Sequence, residues 1–220
     1  MIIKRIILVF VLITFYLSCF PQYWDSLGTG LARPPRCFFV DTTENILYVG
    51  GYFLYAGDIR VDGIAQWNGT AWDSLAGGAV VYGASSGSCP VNTITKYQGN
   101  IYAGGEFFDG VNTEGIAMWD GTKWHDVGIK GFDSWLPTHT AMVKILYEFQ
   151  DELYAGGNFD SIEEMYVKGL AKWDGINWHV VDTIPISDQY FDPQVMIEFQ
   201  GDLYIGGNFG SPWDTLKEIA

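Results

Sequence analysis

One pattern returns along this chain and constrains everything else about it. Residues 45–75 read NILYVGGYFLYAGDIRVDGIAQWNGTAWDSL: an apolar run ending in Gly50-Gly51-Tyr52-Phe53, a polar loop, Gly63-Ile64-Ala65-Gln66-Trp67, an Asn68-Gly69 turn and Trp72. The same order recurs at IYAGGEFFDGVNTEGIAMWDGTKWHDVG, at LYAGGNFDSIEEMYVKGLAKWDGINWHVV and, cut short, at LYIGGNFGSPWDTLKEIA. The glycine doublets begin at 50, 104, 156 and 206, so the steps are 54, 52 and 50 residues. A period of that length marks one supersecondary unit that cannot bury its apolar face alone and must stack on its neighbours. The core therefore lies between repeats, and counting domains from the length of 220 residues misleads.

Each full repeat reads as four short strands separated by turn residues. In the second repeat the strands are expected at 91–97, 101–107, 115–119 and 123–127. Val91, Thr93, Thr95 and Tyr97 alternate there with Asn92, Ile94 and Lys96, a period of two. No helical period of any length appears. The third repeat is expected to start near 141 and the fourth near Val195. Gly50, Gly51, Gly104, Gly105, Gly156, Gly157, Gly206 and Gly207 fall inside strands, where glycine is unfavourable unless something must approach closely. The bulky pairs Trp67 and Trp72, Trp119 and Trp124, and Trp173 and Trp178 are expected to need that space. Asn68-Gly69, Asp120-Gly121 and Asp174-Gly175 lie between the two tryptophans of each pair and supply the φ > 0 position of a hairpin loop. All of these residues are read as structural, with truncation of a buried tryptophan to alanine costing on the order of 3 kcal/mol or more.

A glycine doublet ending the second strand, followed at fixed distance by two large aromatics, resembles the kelch type of β-propeller. The fuller form, L-Y-x-G-G-x-F then G-I-A-x-W-D-G-x-x-W, is more closely similar to the delta-60-like repeats of secreted bacterial proteins and of fungal cortical polarity markers, and it spans nearly all of 24–220. The resemblance implies an all-β propeller of four-stranded antiparallel blades, with about four blades present at 35–77, 90–128, 139–182 and 193–220. Tyr23-Trp24-Asp25-Ser26-Leu27-Gly28 matches Trp72-Asp73-Ser74-Leu75 and reads as an outer strand that closes a final blade, which would remove an open sheet edge. Lys217-Glu218-Ile219-Ala220 aligns with Glu114-Gly115-Ile116-Ala117, before the expected hairpin, and this favours a piece of a larger propeller over a closed four-bladed ring. Propellers host enzymes and inert binders alike, so the resemblance implies a fold and no particular activity.

The first 20 residues carry Lys4 and Arg5 and then an apolar run from Ile6 to Leu17, the layout of an export signal. That run is short for a membrane span, which needs about 20 residues. Leu17-Ser18-Cys19 raises lipidation of Cys19 as an alternative to plain cleavage, so the expected location is secreted or at the outer cell surface, with or without a lipid anchor. A formal charge of −14 repels phosphate backbones and anionic lipids, and nucleic acid is excluded as a partner on that ground. Cys37 and Cys89 each precede an apolar segment at the start of a repeat. A disulfide between them and two unpaired thiols are equally compatible with the sequence.

Catalytic chemistry is sparse. Gly83-Ala84-Ser85-Ser86-Gly87 fits G-x-S-x-G, but it lies in a Gly/Ser loop without the strand before and helix after that a nucleophile elbow needs. His125 and His179 follow the second tryptophan of their repeats, His139 stands alone, and none has metal-ligand spacing. No D-x-D-x-D-G loop is present, and no cofactor is expected. The acidic residues cluster better. Loops joining second to third strands and loops joining successive repeats leave a blade on the same face. The former carry Asp58, Asp62, Asp109, Glu114, Asp160, Glu163, Glu164 and Asp214, and the latter carry Tyr82, Phe132, Trp135, Tyr190 and Phe191. Long loops on a rigid scaffold are where binding resides. The expected ligand site is accordingly Trp135, Tyr82, Tyr190 and Phe191 with Asp109, Glu114, Asp160 and Glu163, and the expected partner is a glycan or a protein at the cell surface. The functional reading is a non-catalytic binding or adhesion module. The alternative is a carbohydrate hydrolase or lyase working through the loop carboxylates.

Overall fold

The computed structural model describes residues 27–75, 90–108, 114–127, 142–159, 161–162, 165–181, 191–209 and 216–219. Every element among them is a strand. The first sheet is built from β1 (Pro35–Asp41), β2 (Ile46–Gly51), β5 (Ile64–Trp67) and β6 (Trp72–Ser74), hydrogen-bonded in that order, with a small hairpin of β3 (Tyr55–Ala56) and β4 (Ile59–Arg60) inserted after β2. The second has β7 (Val91–Tyr97), β8 (Asn100–Phe108), β9 (Glu114–Trp119) and β10 (Trp124–Asp126). The third repeats the first, with β11 (Met142–Phe149), β12 (Glu152–Asn158), an inserted hairpin of β13 (Ser161–Ile162) and β14 (Met165–Tyr166), β15 (Leu170–Trp173) and β16 (Trp178–Val180). The fourth holds β17 (Phe191–Phe199), β18 (Asp202–Phe209) and β19 (Leu216–Ile219). All pairings are antiparallel. Strand positions expected from alternation and turn residues agree to within a residue or two in the second repeat. In the fourth, β17 begins at Phe191, ahead of the expected Val195.

The sheets stack through their first strands: β1 lies against β7, β7 against β11 and β11 against β17. Apolar clusters fill each junction, one of them gathering Tyr48, Ile64 and Leu75 of the first sheet with Ile94, Ile101 and Ala117 of the second. Because strand side chains alternate between faces, each sheet contributes one residue set to the junction before it and the other to the junction after it. Tyr102, for example, packs toward the third sheet while its neighbour Ala103 packs toward the first.

The glycine doublet has a different cause from the one the sequence suggested. A Cβ on Gly50 would sit 2.6 Å from Cys37 Sγ and 2.7 Å from Val91 Cγ1, and a Cβ on Gly104 would sit 2.7 Å from Val143 Cγ1 and 2.8 Å from Thr93 Cγ2. At Gly156 the corresponding neighbours are Met196 Cε and Pro193 Cβ, both at 2.7 Å. The space is taken by side chains from the first strand of the next sheet together with one from the first strand of the same sheet, and no tryptophan is among the nearest atoms. The second glycine answers another need. A Cβ on Gly207 would collide with the Asp192 carbonyl oxygen, one on Gly157 with that of Met142, and one on Gly51 would lie 3.0 Å from Pro35 Cα. Those atoms belong to the first strand of the same sheet, which kinks inward there.

The tryptophans act further out. Each pair packs ring to ring, at centroid separations of 5.2 Å for Trp67 and Trp72, 5.6 Å for Trp119 and Trp124, and 5.4 Å for Trp173 and Trp178. The indole N–H of the second member crosses to the neighbouring repeat: Trp72 donates to the Leu27 carbonyl at 2.9 Å, Trp124 to Leu75 at 3.0 Å and Trp178 to Val127 at 2.9 Å. One side chain thus closes a hairpin and ties its sheet to the one before. The loop between the tryptophans has four residues, with Gly69, Gly121 and Gly175 at φ near 94°, 95° and 102°. Its first residue caps it: Asn68 Oδ1 accepts from the Thr70 and Ala71 amides, and Asp120 and Asp174 do the same in their repeats.

Candidate ligand site on the first-strand row

The first strands share an irregularity. Between Pro35 and Cys37, Val91 and Thr93, Val143 and Ile145, and Pro193 and Val195, one residue has no partner across the ladder. These bulged residues are Arg36, Asn92, Lys144 and Gln194. A β-bulge bends its strand and re-aims a side chain, and here those of Arg36, Asn92 and Lys144 reach from sheet to sheet. Arg36 Nη1 donates to Asn92 Oδ1 at 2.6 Å, and Asn92 Nδ2 donates to the Val143 carbonyl at 3.1 Å. Lys144 Nζ lies 2.6 Å from Asp192 Oδ2, which also accepts from Gln194 Nε2 at 3.3 Å. The Asp192 side chain is buried, and its Oδ1 has no hydrogen-bond partner among the described residues. The backbone frame is the same in all four sheets while the residue on it differs, as a cation, an amide, a cation and an amide. Apart from Asp192 the row is rich in donors, which suits a ligand rich in oxygen acceptors. The bulges lie at the end of the sheets from which the sheet-to-sheet connections leave, the same end as the loops singled out from the sequence.

Of those eight loop residues, Trp135, Tyr82, Tyr190, Asp109, Asp160 and Glu163 lie outside the described residues. Glu114 is the first residue of β9, paired with Phe108. Phe191 is a correction: it is the first residue of β17, buried and stacked on Phe209 with centroids 4.6 Å apart. Its ring belongs to the apolar cluster between the third and fourth sheets and offers no platform to a ligand. In the first and third repeats, described residues between the second and third strands are buried, against what their polarity suggested. Phe53, Ala56 and Val61 are buried in the first, and Phe159, Ile162 and Val167 in the third. Their signal in the sequence was the phenylalanine two residues after the doublet, Phe53 in the first repeat and Phe159 in the third, each buried. Asp62 pairs there with Arg60 at 2.9 Å.

At the opposite end of the sheets a cleft of about 400 Å³ opens between the first and second. Glu44, Asp73, Asp120, Lys96, Tyr48 and Trp119 line it. Lys96 closes one wall, 2.5 Å from the buried Asp41 and 3.3 Å from Glu44. The Lys96 ammonium, the Thr43 hydroxyl and backbone amides hold the Asp41 carboxyl well below the usual carboxylate range. Asp120 is likewise held low, first by His125 and then by the Thr122 hydroxyl and the loop amides it caps. His179 and Asp174 repeat that contact at 2.8 Å, with the Asp174 carboxyl held at about 2, chiefly by the Asn177 amide. Both repeat histidines are therefore hairpin-loop clamps. Among the described residues no set of three His, Cys, Asp or Glu side chains is placed to hold a metal ion. Cys37 is a free thiol facing the Val91 carbonyl at 3.8 Å, and burial pushes it up to about 12, so it is inert as a nucleophile. Cys89 lies outside the described residues.

No helix among the described residues is long and apolar enough to cross a membrane. No family model matches the chain, and no curated protein matches it. Among solved structures it is similar to the extracellular domain of a hybrid two-component system from B. thetaiotaomicron, at 14% identity and a TM-score of 0.46, over 87% of this chain and 22% of that one. The chain thus spans about a fifth of that structure's length.

Proposed function

We propose that this chain is an exported, non-catalytic binding or adhesion module of the outer cell surface, built on kelch-like propeller blades, with a glycan or a surface protein as its partner. The blade reading is supported by the succession of four antiparallel sheets that meet through their first strands and by the indole-to-carbonyl tie repeated between them. The observation that carries the binding reading is the row of bulged residues. The glycine doublets and tryptophan pairs repeat in identity, whereas Arg36, Asn92, Lys144 and Gln194 share one backbone geometry and differ in chemistry, as positions that read a ligand do. A glycan array followed by titration calorimetry on the intact protein tests this. Binding of an acceptor-rich oligosaccharide that Arg36→Gln weakens at least tenfold, with an unchanged thermal midpoint, is the expected result. A flat array, or a ligand whose affinity ignores Arg36 and Asn92 alike, would refute it.

A second reading, a carbohydrate hydrolase or lyase, is favoured by the carboxylates beside Trp119 in the cleft between the first two sheets. A glycosidase needs one carboxyl raised so that it carries a proton at neutral pH. Asp120 is shifted the opposite way and is engaged with His125 and with the amides of its own loop. Release of reducing ends from a polysaccharide panel, abolished by Asp73→Asn or Glu44→Gln, would establish the enzyme reading over the first.

A further inference from the structure

The cleft between the first and second sheets is open because a residue that fills the next two junctions is replaced there. In the second and third sheets an aromatic ends the first strand, Tyr97 opposite Asn100 and Phe149 opposite Glu152. Each is buried against the following sheet, at 1% and 6% exposure. Tyr97 crosses its junction, and its hydroxyl donates to the Asp151 carbonyl at 2.8 Å. Gln98 crosses with it, donating from Nε2 to the Tyr97 hydroxyl at 2.9 Å and lying so near Gly175 that a Cβ there would sit 2.8 Å from Gln98 Oε1. The first sheet has Asp41 at the same register position, opposite Ile46. This shorter side chain pairs with Lys96, and Glu44 joins the pair. Gly99 and Gly121, the counterparts of Asp151 and Gly175, are left uncovered: both line the cleft, and a Cβ on either would meet nothing within 4 Å. Ring burial is given up at this one place, and about 400 Å³ stays open, within the size range of small-ligand pockets.

The lining sets what the opening can take. Trp119, Ile46 and Ile101 supply apolar surface, and the Lys96 ammonium is already held by Asp41. Asp120 also lines the cleft, but its carboxylate is fully engaged by Thr122, the Lys123 amide and His125, so it contributes charge alone. Glu44 and Asp73 keep acceptor capacity. Among the described residues Glu44 accepts from Lys96, and Asp73 from the Gln66 side chain and the Ser74 amide. An ionised carboxylate accepts about four hydrogen bonds. Hydroxyl and ammonium donors suit those free lone pairs, and a cation gains further from the carboxylate charge and from an indole face. An anionic ligand meets the same charge as repulsion.

We propose that this cleft is a second binding site, for a single sugar-sized ring that carries hydroxyls and a protonated amine, with its apolar face on Trp119. The site lies at the end of the sheets opposite the bulged row and does not rest on the reading of that row. Titrating the intact protein with glucosamine, glucose and glucuronate tests it, at about pH 6 where the amine is protonated, with ligand-observed nuclear magnetic resonance and tryptophan emission as readouts. None of these rings has a glycosidic bond to cleave, so the result is also independent of the hydrolase reading. Glucosamine is expected to bind saturably, glucose about tenfold more weakly for want of one charge-assisted hydrogen bond, and glucuronate not at all. Asp73→Asn is expected to bring glucosamine down to the level of glucose. Asp41→Phe combined with Lys96→Met restores the aromatic of the other junctions without stranding the ammonium, and should abolish binding of every ring. Circular dichroism checks the fold of that variant, and Glu44→Gln, expected to weaken glucosamine severalfold, takes its place if it does not fold. Arg36→Gln should leave glucosamine affinity unchanged. Absence of saturable glucosamine binding, equal affinity for glucose or glucuronate, binding that survives Asp73→Asn and the filled cleft, or binding lost in Arg36→Gln would each overturn the proposal.

Discussion

Gly104→Ala separates the two explanations of the doublet. The added methyl meets Val143 Cγ1 at 2.7 Å, Thr93 Cγ2 at 2.8 Å and Leu146 Cδ1 at 3.2 Å. All three are side-chain ends in a close-packed junction, so the cost is overpacking, about 2 to 3 kcal/mol. Gly104 is not in the left-handed region, so no backbone strain is added. Val143→Ala alone empties part of a fully buried site and costs about 2 kcal/mol. Together the two changes exchange volume across one contact. The double variant should lose about 3 kcal/mol, leaving a coupling of roughly 1 to 2 kcal/mol, which residues in contact reach and distant ones do not. Rescue is partial because Thr93, in the same sheet, still opposes the methyl. For a chain of this length Gly104→Ala alone corresponds to a fall of roughly 5 to 10 °C in thermal midpoint. The assay is thermal unfolding followed by tryptophan fluorescence across the wild type, both single variants and the double. A strictly additive double would refute the close-approach argument. If Trp119→Phe rescued Gly104→Ala instead, the tryptophans would be the cause after all.

Trp178→Phe keeps a ring in the core but leaves the Val127 carbonyl without its donor, and is expected to cost about 1 to 2 kcal/mol in a urea titration. Trp72→Phe and Trp124→Phe should shift the urea midpoint in the same direction, since the same tie is cut. Lys144→Met strands the buried Asp192 carboxylate and should destabilise by about 3 kcal/mol, with Asp192→Asn in the same chain recovering most of the loss. Stability should be level from pH 7 to about 5 and then fall: Asp41, Asp120 and Asp174 are held below their ordinary values, so the unfolded chain takes up protons first as the pH drops. Their contribution is complete above about pH 5, begins to fall as the pH nears the ordinary carboxylate range, and disappears as the pH passes down through the folded values, about 2 for Asp174. Asp174→Asn should flatten that fall at little cost at pH 7, because Asn68 caps the equivalent loop in the first sheet; midpoints measured across pH check both statements.

Period-two alternation in 91–97 and the Asn-Gly and Asp-Gly pairs between tryptophans were enough to place the strands and the outer hairpins. They are local signals, set by backbone sterics and by a side chain that caps its own turn. The inserted hairpins after β2 and β12 were not foreseen, because Ala56, Val61, Ile162 and Val167 sit in segments whose polarity resembles any loop. Phe191 was misplaced for the converse reason. An aromatic before an acidic residue and a proline looks like loop composition, and its burial depends on Phe209, eighteen residues away.

The sequence by itself determined that the chain is all-β, that its units repeat, and where each unit turns, because those properties follow from φ/ψ preference and from side chains within a few residues of one another. Only the tertiary structure decided what the repeated residues are for. The doublets admit the next sheet and the kinked first strand, the second tryptophan of each pair reaches back one repeat, and the bulges at Arg36, Asn92, Lys144 and Gln194 align four unlike side chains in one row. Most of these contacts join one repeat to the next, and the rest join two strands of one sheet. Spacing shows which residues occupy equivalent places in their repeats, but the approach of one strand or sheet to another decides which atoms meet.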